Sequence, residues 1–119
     1  MTKNHVDALT CGTAHCRRWG VVLGGGDGSR LRSLSRRIAG DERPKQFCDI
    51  LGSGSTLLQH TAIRVGRNVS QDRIAYVVTR PHELYYKPLL EAVDPARVFE
   101  QPVNRGTGVA ILLSILKIM

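Results

Sequence analysis

The stretch that decides the fold is VVLGGGDGSRLRSL, residues 21–34. It starts as a β-branched apolar run, passes through four glycines in five positions and continues with arginines and leucines. Glycines let a backbone approach an anion closely and turn its N–H groups toward it. We therefore predict a buried strand followed by a phosphate-binding loop.

Two common phosphate-binding motifs are excluded by this loop. The nucleoside-triphosphatase loop requires a Gly-Lys pair, which the chain lacks. The dinucleotide motif Gly-x-Gly-x-x-Gly requires a third glycine at a position where the chain has Ser29 or Leu31. The loop is therefore typical of a different class of nucleotide site.

Apolar runs elsewhere in the chain alternate with helical patterns. Strands are predicted at 19–23, 73–79 and 97–101. One helix is expected from Ser55 or Thr56 to about Arg67, a second is opened by Pro81 and kinked by Pro88, and Thr107 caps a third. The segment RPKQFCDILGSGS, which precedes the first of these helices, is expected to be a loop with a short strand-like piece. The alternation predicts an α/β fold with a parallel sheet.

The last predicted helix is apolar on nearly every side. From Val109 to Met119 only Ser114 and Lys117 are polar, a pattern typical of a helix buried all round. Three strands and their helices supply too little cover for it. The sequence thus favours the front part of a larger domain, truncated in its last helix, and burial in an oligomer interface is the alternative.

The amino-terminal residues show no pattern typical of a targeting signal. Residues 1–16 are mixed and polar, so we expect a disordered lead-in, no signal peptide and a cytoplasmic location. No apolar run approaches the roughly 20 residues that span a membrane. The three cysteines Cys11, Cys16 and Cys48 are too few for a disulfide framework, and we expect reduced thiols.

Positive charge is concentrated around the glycine loop. The net charge is +7, and residues 17–45 hold eight basic and three acidic side chains. Such a field favours an anionic partner, either nucleotide phosphates or a nucleic acid backbone. With two Phe, one Trp and three Tyr for stacking and no known binding module, nucleic acid is the weaker of the two.

The loop resembles the signature of a known enzyme family. LGGGDGSRLRSL followed by RPKQF is similar to the signature of sugar-1-phosphate nucleotidyltransferases. The Pro-Lys-Gln-Phe form, STLLQHTAIRV and QPVNRGTGVAI each resemble stretches of mannose-1-phosphate guanylyltransferases. The resemblance runs from about Arg18 to the end. It implies a Rossmann-like parallel sheet with flanking helices, with residues 17–119 as the nucleotide-binding part of an incomplete nucleotidyltransferase domain.

The resemblance also implies a chemistry. The family couples a nucleoside triphosphate to a sugar 1-phosphate, here favouring GTP and mannose 1-phosphate, and releases pyrophosphate. Arg30 is expected to neutralise the β- and γ-phosphates, and Lys45 to lie near the α-phosphate. The sugar phosphate oxygen is already ionised, so no protein nucleophile or base is needed. The triphosphate is expected to contact Leu23, Gly24, Gly25, Gly26, Gly28 and Ser29.

The stretch after the third strand is expected to read the base. By resemblance it contributes Gln101, Asn104, Arg105, Gly106 and Thr107. Gln101 stands where the family usually has a glutamate, which accepts well from the guanine N1–H and 2-amino groups. A glutamine amide offers one acceptor and two donors, so it could bind uracil or thymine as well as guanine. The neighbouring Glu100 is expected to face the other side of the strand.

Several parts implied by the family are absent from this sequence. Mg²⁺ is implied as the ion that bridges the phosphates, but its protein ligands and the sugar pocket are expected outside these 119 residues. The oligomeric state stays open. The alternative function is a truncated, non-catalytic remnant that binds nucleotide weakly or not at all.

Two further expectations concern basic and histidine side chains. The spacer SRRIAGDERPKQF is longer than usual in the family and is predicted to form a flexible lid, with Arg36, Arg37 and Arg43 near the phosphates. His60 and His82 fall on predicted helices and are expected to be surface residues.

Overall fold

The computed structural model describes residues 17–27 and 32–119. Its centre is one three-stranded sheet in the order β1-β2-β3, formed by β1 (Gly20–Leu23), β2 (Ile74–Thr79) and β3 (Val98–Gln101). All pairs are parallel, with Val77 opposite both Leu23 and Phe99. The carboxyl ends of the strands therefore meet at one edge. The predicted α/β, Rossmann-like architecture is confirmed.

The described residues form four α-helices in addition to the sheet. They are α1 (Arg32–Ala39), α2 (Leu57–Val65), α3 (Glu83–Leu89) and α4 (Thr107–Ile118). Short 3₁₀ turns lie at Lys45–Phe47, Gln71–Arg73, Arg80–His82 and Pro95–Arg97. Parallel strands are joined by crossover connections that contain helices, as here between β1, β2 and β3.

The segment between β1 and α2 differs from the sequence prediction. Helix α1 occupies part of the predicted flexible lid, because RSLSRRIA contains neither proline nor glycine and ends at Gly40, whose φ of +80° suits a helix stop. The strand-like piece predicted after Arg43 is also wrong. Pro44 instead starts a 3₁₀ turn in which the Phe47 N–H donates to the Pro44 carbonyl at 3.0 Å.

Helix α2 begins where the sequence indicated. Thr56 Oγ1 accepts from the Gln59 N–H at 3.3 Å, and Gln59 Oε1 accepts from the Thr56 N–H at 2.7 Å. This reciprocal capping box satisfies two backbone donors, and such a cap is typically worth about 1 kcal/mol.

The starts and ends of the other helices depend on proline and glycine. Pro88 lies in the last turn of α3, which is only seven residues long. The prediction that Thr107 caps α4 is wrong: Thr107 is the first helical residue, and Gly106 precedes it as the cap with a φ of +93°. Only glycine adopts that φ readily, so it takes the cap position.

The core lies on both faces of β2, which is buried along its whole length. On the α2 and α3 face, Val22, Phe47, Leu58, Ile74, Tyr76, Val78, Tyr86 and Leu90 form one cluster. On the α4 face, the smaller cluster is Ala75, Val77, Phe99 and Ala110. This face buries less, because Ala110 is the only apolar residue of α4 that is fully buried.

Most apolar side chains of α4 are exposed. Leu112 is 57% exposed and Leu116 is 64% exposed, and Val109, Ile111 and Ile115 are also exposed, as is Met119 just after the helix. The prediction that three strands give this helix too little cover is confirmed. None of the helices in the described ranges has both the length and the apolar character needed to cross a membrane.

Candidate functional site

The glycine loop crosses the carboxyl edge of the sheet. Its described part runs from Gly24 to Asp27, and the Gly24 N–H donates to the Val77 carbonyl at 2.7 Å, which continues the pairing of β1 with β2. A methyl group on Gly25 would lie 3.3 Å from Thr79 Cγ2 and 3.6 Å from Gln101 Oε1. The absence of a side chain at Gly25 therefore lets the loop pack closely over the ends of β2 and β3.

Side chains from two other elements bond to the loop. Gln46 Nε2 donates to the Gly24 carbonyl at 2.9 Å and to the Gly26 carbonyl at 2.7 Å. Thr79 Oγ1 donates to the Gly25 carbonyl across a longer 3.4 Å. The sequence analysis missed both residues. The available signal was that Gln46 directly follows Lys45 in the Pro-Lys-Gln-Phe motif.

His82 lies beneath the loop instead of on the surface, so that expectation is wrong. The 3₁₀ turn Arg80–His82 directs the imidazole back onto the end of β2, where the side chain is only 11% exposed. Nδ1 lies 2.8 Å from Thr79 Oγ1, and Nε2 lies 3.4 Å from a carboxylate oxygen of Asp27. Burial lowers the pKa of His82, and the Asp27 carboxylate offsets part of this shift.

Of the two basic residues predicted to bind the triphosphate, the structure describes Lys45 but not Arg30. Lys45 is exposed and begins the 3₁₀ turn, one residue before Gln46, so its backbone lies beside the glycine loop. Arg30, together with Gly28 and Ser29, lies outside the described residues.

Gln101 and Glu100 face opposite sides of β3, as expected from the strand period. Gln101 is 4% exposed, lies opposite Thr79 in the sheet and reaches the loop at Gly25. Glu100 instead accepts hydrogen bonds from the Tyr86 hydroxyl and, at 2.9 Å, from Arg80 Nε. These two bonds lower the pKa of Glu100. Only the glutamine of this pair is directed toward the site.

The remaining candidates lie at the same edge of the sheet. Leu23 is the last residue of β1 and is 43% exposed. After β3, an exposed turn holds Asn104, Arg105 and Gly106, and the exposed Thr107 follows as the first residue of α4. Asn104 Oδ1 accepts from the Gly106 N–H at 3.0 Å, which fixes the turn just before α4. Ligands of open α/β sheets bind in the crevice at this edge.

Two of the three arginines of the predicted lid form ion pairs with acidic residues close to them in the sequence. Arg36 pairs with Glu42. Arg43 makes two bonds of 2.8 Å to the Asp41 carboxylate and lies over the ring of Tyr85, 5.1 Å from its centre. The Arg43 bonds lower the pKa of Asp41. Arg37 is exposed on α1.

No metal site is evident in the described ranges. Residues 17–27 and 32–119 contain no cluster of three His, Cys, Asp or Glu side chains that could hold an ion. We therefore derive no step through a metal ion held by this chain, and the expected Mg²⁺ stays a prediction.

Comparisons with known proteins agree with the motifs. A family model described as nucleotidyl transferase matches residues 19–119. The chain is 33% identical over 101 residues to the alginate biosynthesis protein AlgA of Pseudomonas aeruginosa, which covers 83% of this chain and 20% of the relative. It is 32% identical over 99 residues to a mannose-1-phosphate guanylyltransferase of Salmonella montevideo, covering 82% of this chain and 20% of the relative.

A third relative extends the same result. Mannose-1-phosphate guanylyltransferase 2 of Escherichia coli O157:H7 is 32% identical over 96 residues, covering 79% of this chain and 19% of the relative. The chain thus spans about one fifth of the length of these relatives. No solved structure gives a significant match.

Proposed function

Because the chain belongs to the nucleotidyl transferase family, we propose that it holds the triphosphate-binding part of an enzyme that makes a nucleotide sugar. The donor is a nucleoside triphosphate, with GTP favoured, and the acceptor is a sugar 1-phosphate, with mannose 1-phosphate favoured. The names of two relatives at 32% identity support this choice of substrates. Pyrophosphate is the second product.

One observation carries the proposal: the glycine loop meets the buried amide of Gln101 at the carboxyl edge of a parallel sheet. A loop rich in backbone N–H groups suits a polyphosphate. A buried side-chain amide beside it suits the edge of a base, since polar groups in such pockets fix orientation and specificity. Both therefore lie within the reach of one nucleotide.

The proposed reaction needs positive charge more than acid–base chemistry. An oxygen of the sugar phosphate attacks the α-phosphorus in line, and the bond from that phosphorus to the β-phosphate oxygen breaks. The departing pyrophosphate takes the electron pair. We assign Lys45 to the α-phosphate, and Arg30 to the β- and γ-phosphates, where negative charge accumulates. Fixed cations at these places stabilise the transition state.

We assign base recognition to Gln101 and to the turn that follows it. The amide of Gln101 has one acceptor oxygen and two donor hydrogens, and its burial makes an unmatched base edge costly. Asn104, Arg105, Gly106 and Thr107 close the other side of the base. The chemistry of the amide allows guanine, and also uracil or thymine, so the nucleotide panel below includes all three.

Calorimetric titration of the purified chain with GTP, UTP, dTTP and ATP in the presence of Mg²⁺ tests this function. We expect GTP to bind most tightly. Arg30→Ala is expected to weaken GTP binding about tenfold or more, because a charge-assisted bond to phosphate is lost.

The matched control for that variant is Arg67→Ala. Arg67 is exposed just beyond α2, where Val65 approaches Gly20 at the amino end of β1. This is the edge of the sheet opposite the glycine loop, so the control is expected to bind GTP normally. A folded chain that binds none of the triphosphates contradicts the proposal and supports the non-catalytic remnant.

A further inference from the structure

Three successive carbonyl groups of the glycine loop accept hydrogen bonds from side chains of the fold. The carbonyls of Gly24 and Gly26 both accept from Gln46 Nε2, at 2.9 Å and 2.7 Å. The carbonyl of Gly25 accepts from Thr79 Oγ1. A glutamine amide has two donor hydrogens, so Gln46 uses both of them on the loop.

Peptide geometry turns this observation into a statement about the loop's N–H groups. A trans peptide is planar, with its C=O and the following N–H pointing in opposite directions, and the described residues contain no cis peptide. With the carbonyls of Gly24 and Gly26 directed at Gln46, the N–H groups of Gly25 and Asp27 point away from it. By the same reasoning, the Gly26 N–H points away from Thr79.

The position of Gln46 is itself fixed. It is the middle residue of the 3₁₀ turn Lys45–Phe47, whose Phe47 ring is 2% exposed and whose Phe47 N–H donates to the Pro44 carbonyl at 3.0 Å. The Phe47 ring also contacts His82, with 5.9 Å between ring centres. The amide of Gln46 is therefore held against the loop by a buried anchor.

We propose that Gln46 is a positioning residue for the triphosphate, a role that rests on the proposed function. By binding the loop carbonyls, it keeps their partial negative charge away from the phosphates and directs the N–H groups of Gly25 and Asp27 toward them. Gln46 does not contact the ligand through its donors, since both are occupied. Backbone N–H groups directed to one side of a loop are a general means of binding an anion.

The test compares ligands that contain different parts of the nucleotide. Gln46→Met keeps the length of the side chain and removes both donors. We expect this variant to lower the affinities for GTP and for inorganic tripolyphosphate by a similar factor, about tenfold or more. The affinity for guanosine is expected to stay unchanged. Titrations followed by nuclear magnetic resonance measure all three ligands on the full chain.

The matched control is Gln71→Met. Gln71 is also a glutamine, is exposed, and begins the 3₁₀ turn before the amino end of β2, at the edge opposite the loop. It is expected to leave all three affinities at the wild-type values. A control that loses tripolyphosphate binding as Gln46→Met does would overturn the proposal.

Other outcomes separate the possible failures. The positioning role is overturned, while the proposed function stands, if Gln46→Met binds GTP with wild-type affinity. The same conclusion follows if its affinity for guanosine falls by the same factor as its affinity for tripolyphosphate. If the wild type binds none of the ligands, the proposed function fails and this role fails with it.

A second variant covers the case in which Gln46→Met does not fold, as judged by circular dichroism. Gln46→Asn keeps the donors on a shorter side chain that cannot reach both carbonyls. Weaker binding of GTP and tripolyphosphate by this variant supports the role. Wild-type binding of both ligands overturns it.

Discussion

His82 connects the end of β2 to the glycine loop. Its two ring nitrogens face Thr79 Oγ1 and the Asp27 carboxylate, and its ring lies in an edge-type contact with the Phe47 ring. Because the ring is buried, adding a proton to it costs more in the folded chain than in water, and its pKa is lowered. The charge of a single histidine is therefore linked both to folding and to the loop.

This linkage gives a prediction for stability against pH. The unfolded chain takes up a proton at the ordinary histidine pKa of 6.5, whereas folded His82 resists it. The unfolded state thus binds more protons below that pH, and the free energy of unfolding falls as the pH falls from about 7.5 to about 5.5. We expect His82→Gln to reduce this loss, as measured by urea unfolding at both pH values.

The control for the pH experiment is His60→Gln. His60 lies on α2 and bonds to Ser53 Oγ at the surface, away from the loop. We expect this variant to keep the wild-type pH dependence. An acid-side loss of stability that is identical in the wild type and in His82→Gln would contradict the role given to burial of His82.

Helix α4 leaves most of its apolar side chains exposed in the described fold. Its buried side is narrow: Ala110 packs against residues of the sheet, and Ser114 is the other buried residue of the helix. Leu112 and Leu116 are four residues apart, so they lie on the same, exposed side of the helix. Apolar patches of this kind promote association.

We therefore expect the chain to self-associate through α4 at high concentration. The double variant Leu112→Lys and Leu116→Lys places charge in the patch and is expected to lower the apparent mass to that of a monomer. Light scattering on a sizing column measures this mass.

Leu84→Lys is the matched control for the double variant. Leu84 is a leucine on α3 that is 79% exposed and lies outside the α4 patch, so the change should leave association as in the wild type. A wild-type chain that stays monomeric at high concentration would sink the prediction.

Local patterns were enough to predict the sheet and its direction. The apolar runs of β1, β2 and β3 and the alternation with helices are properties of neighbouring residues. The cap at Thr56 is equally local, since its partner Gln59 is three residues away. Helix α1 differs from the prediction because the spacer SRRIAGDERPKQF is expected from its sequence to form a flexible lid.

The details of the site depend on contacts between distant residues. Gln46 bonds to carbonyls of residues 24 and 26, and Thr79 bonds to that of residue 25. Hydrogen bonds to backbone acceptors cannot be predicted from side-chain spacing, so the Pro-Lys-Gln-Phe motif contained Gln46 without indicating its contact with the loop. The burial of His82 likewise follows from the packing of the 3₁₀ turn Arg80–His82 against Phe47.

At the scale of the whole molecule, the central claim is that one edge of the sheet binds a nucleoside triphosphate. Titration of isotope-labelled wild-type chain with GTP and Mg²⁺, followed residue by residue in nuclear magnetic resonance spectra, tests it most directly. We predict that the largest shift changes fall on Gly25, Gly26, Gln46 and Gln101, with little change at Arg67 on the opposite edge. Saturable changes confined to another surface, or no change at any residue of a folded chain, would contradict the account.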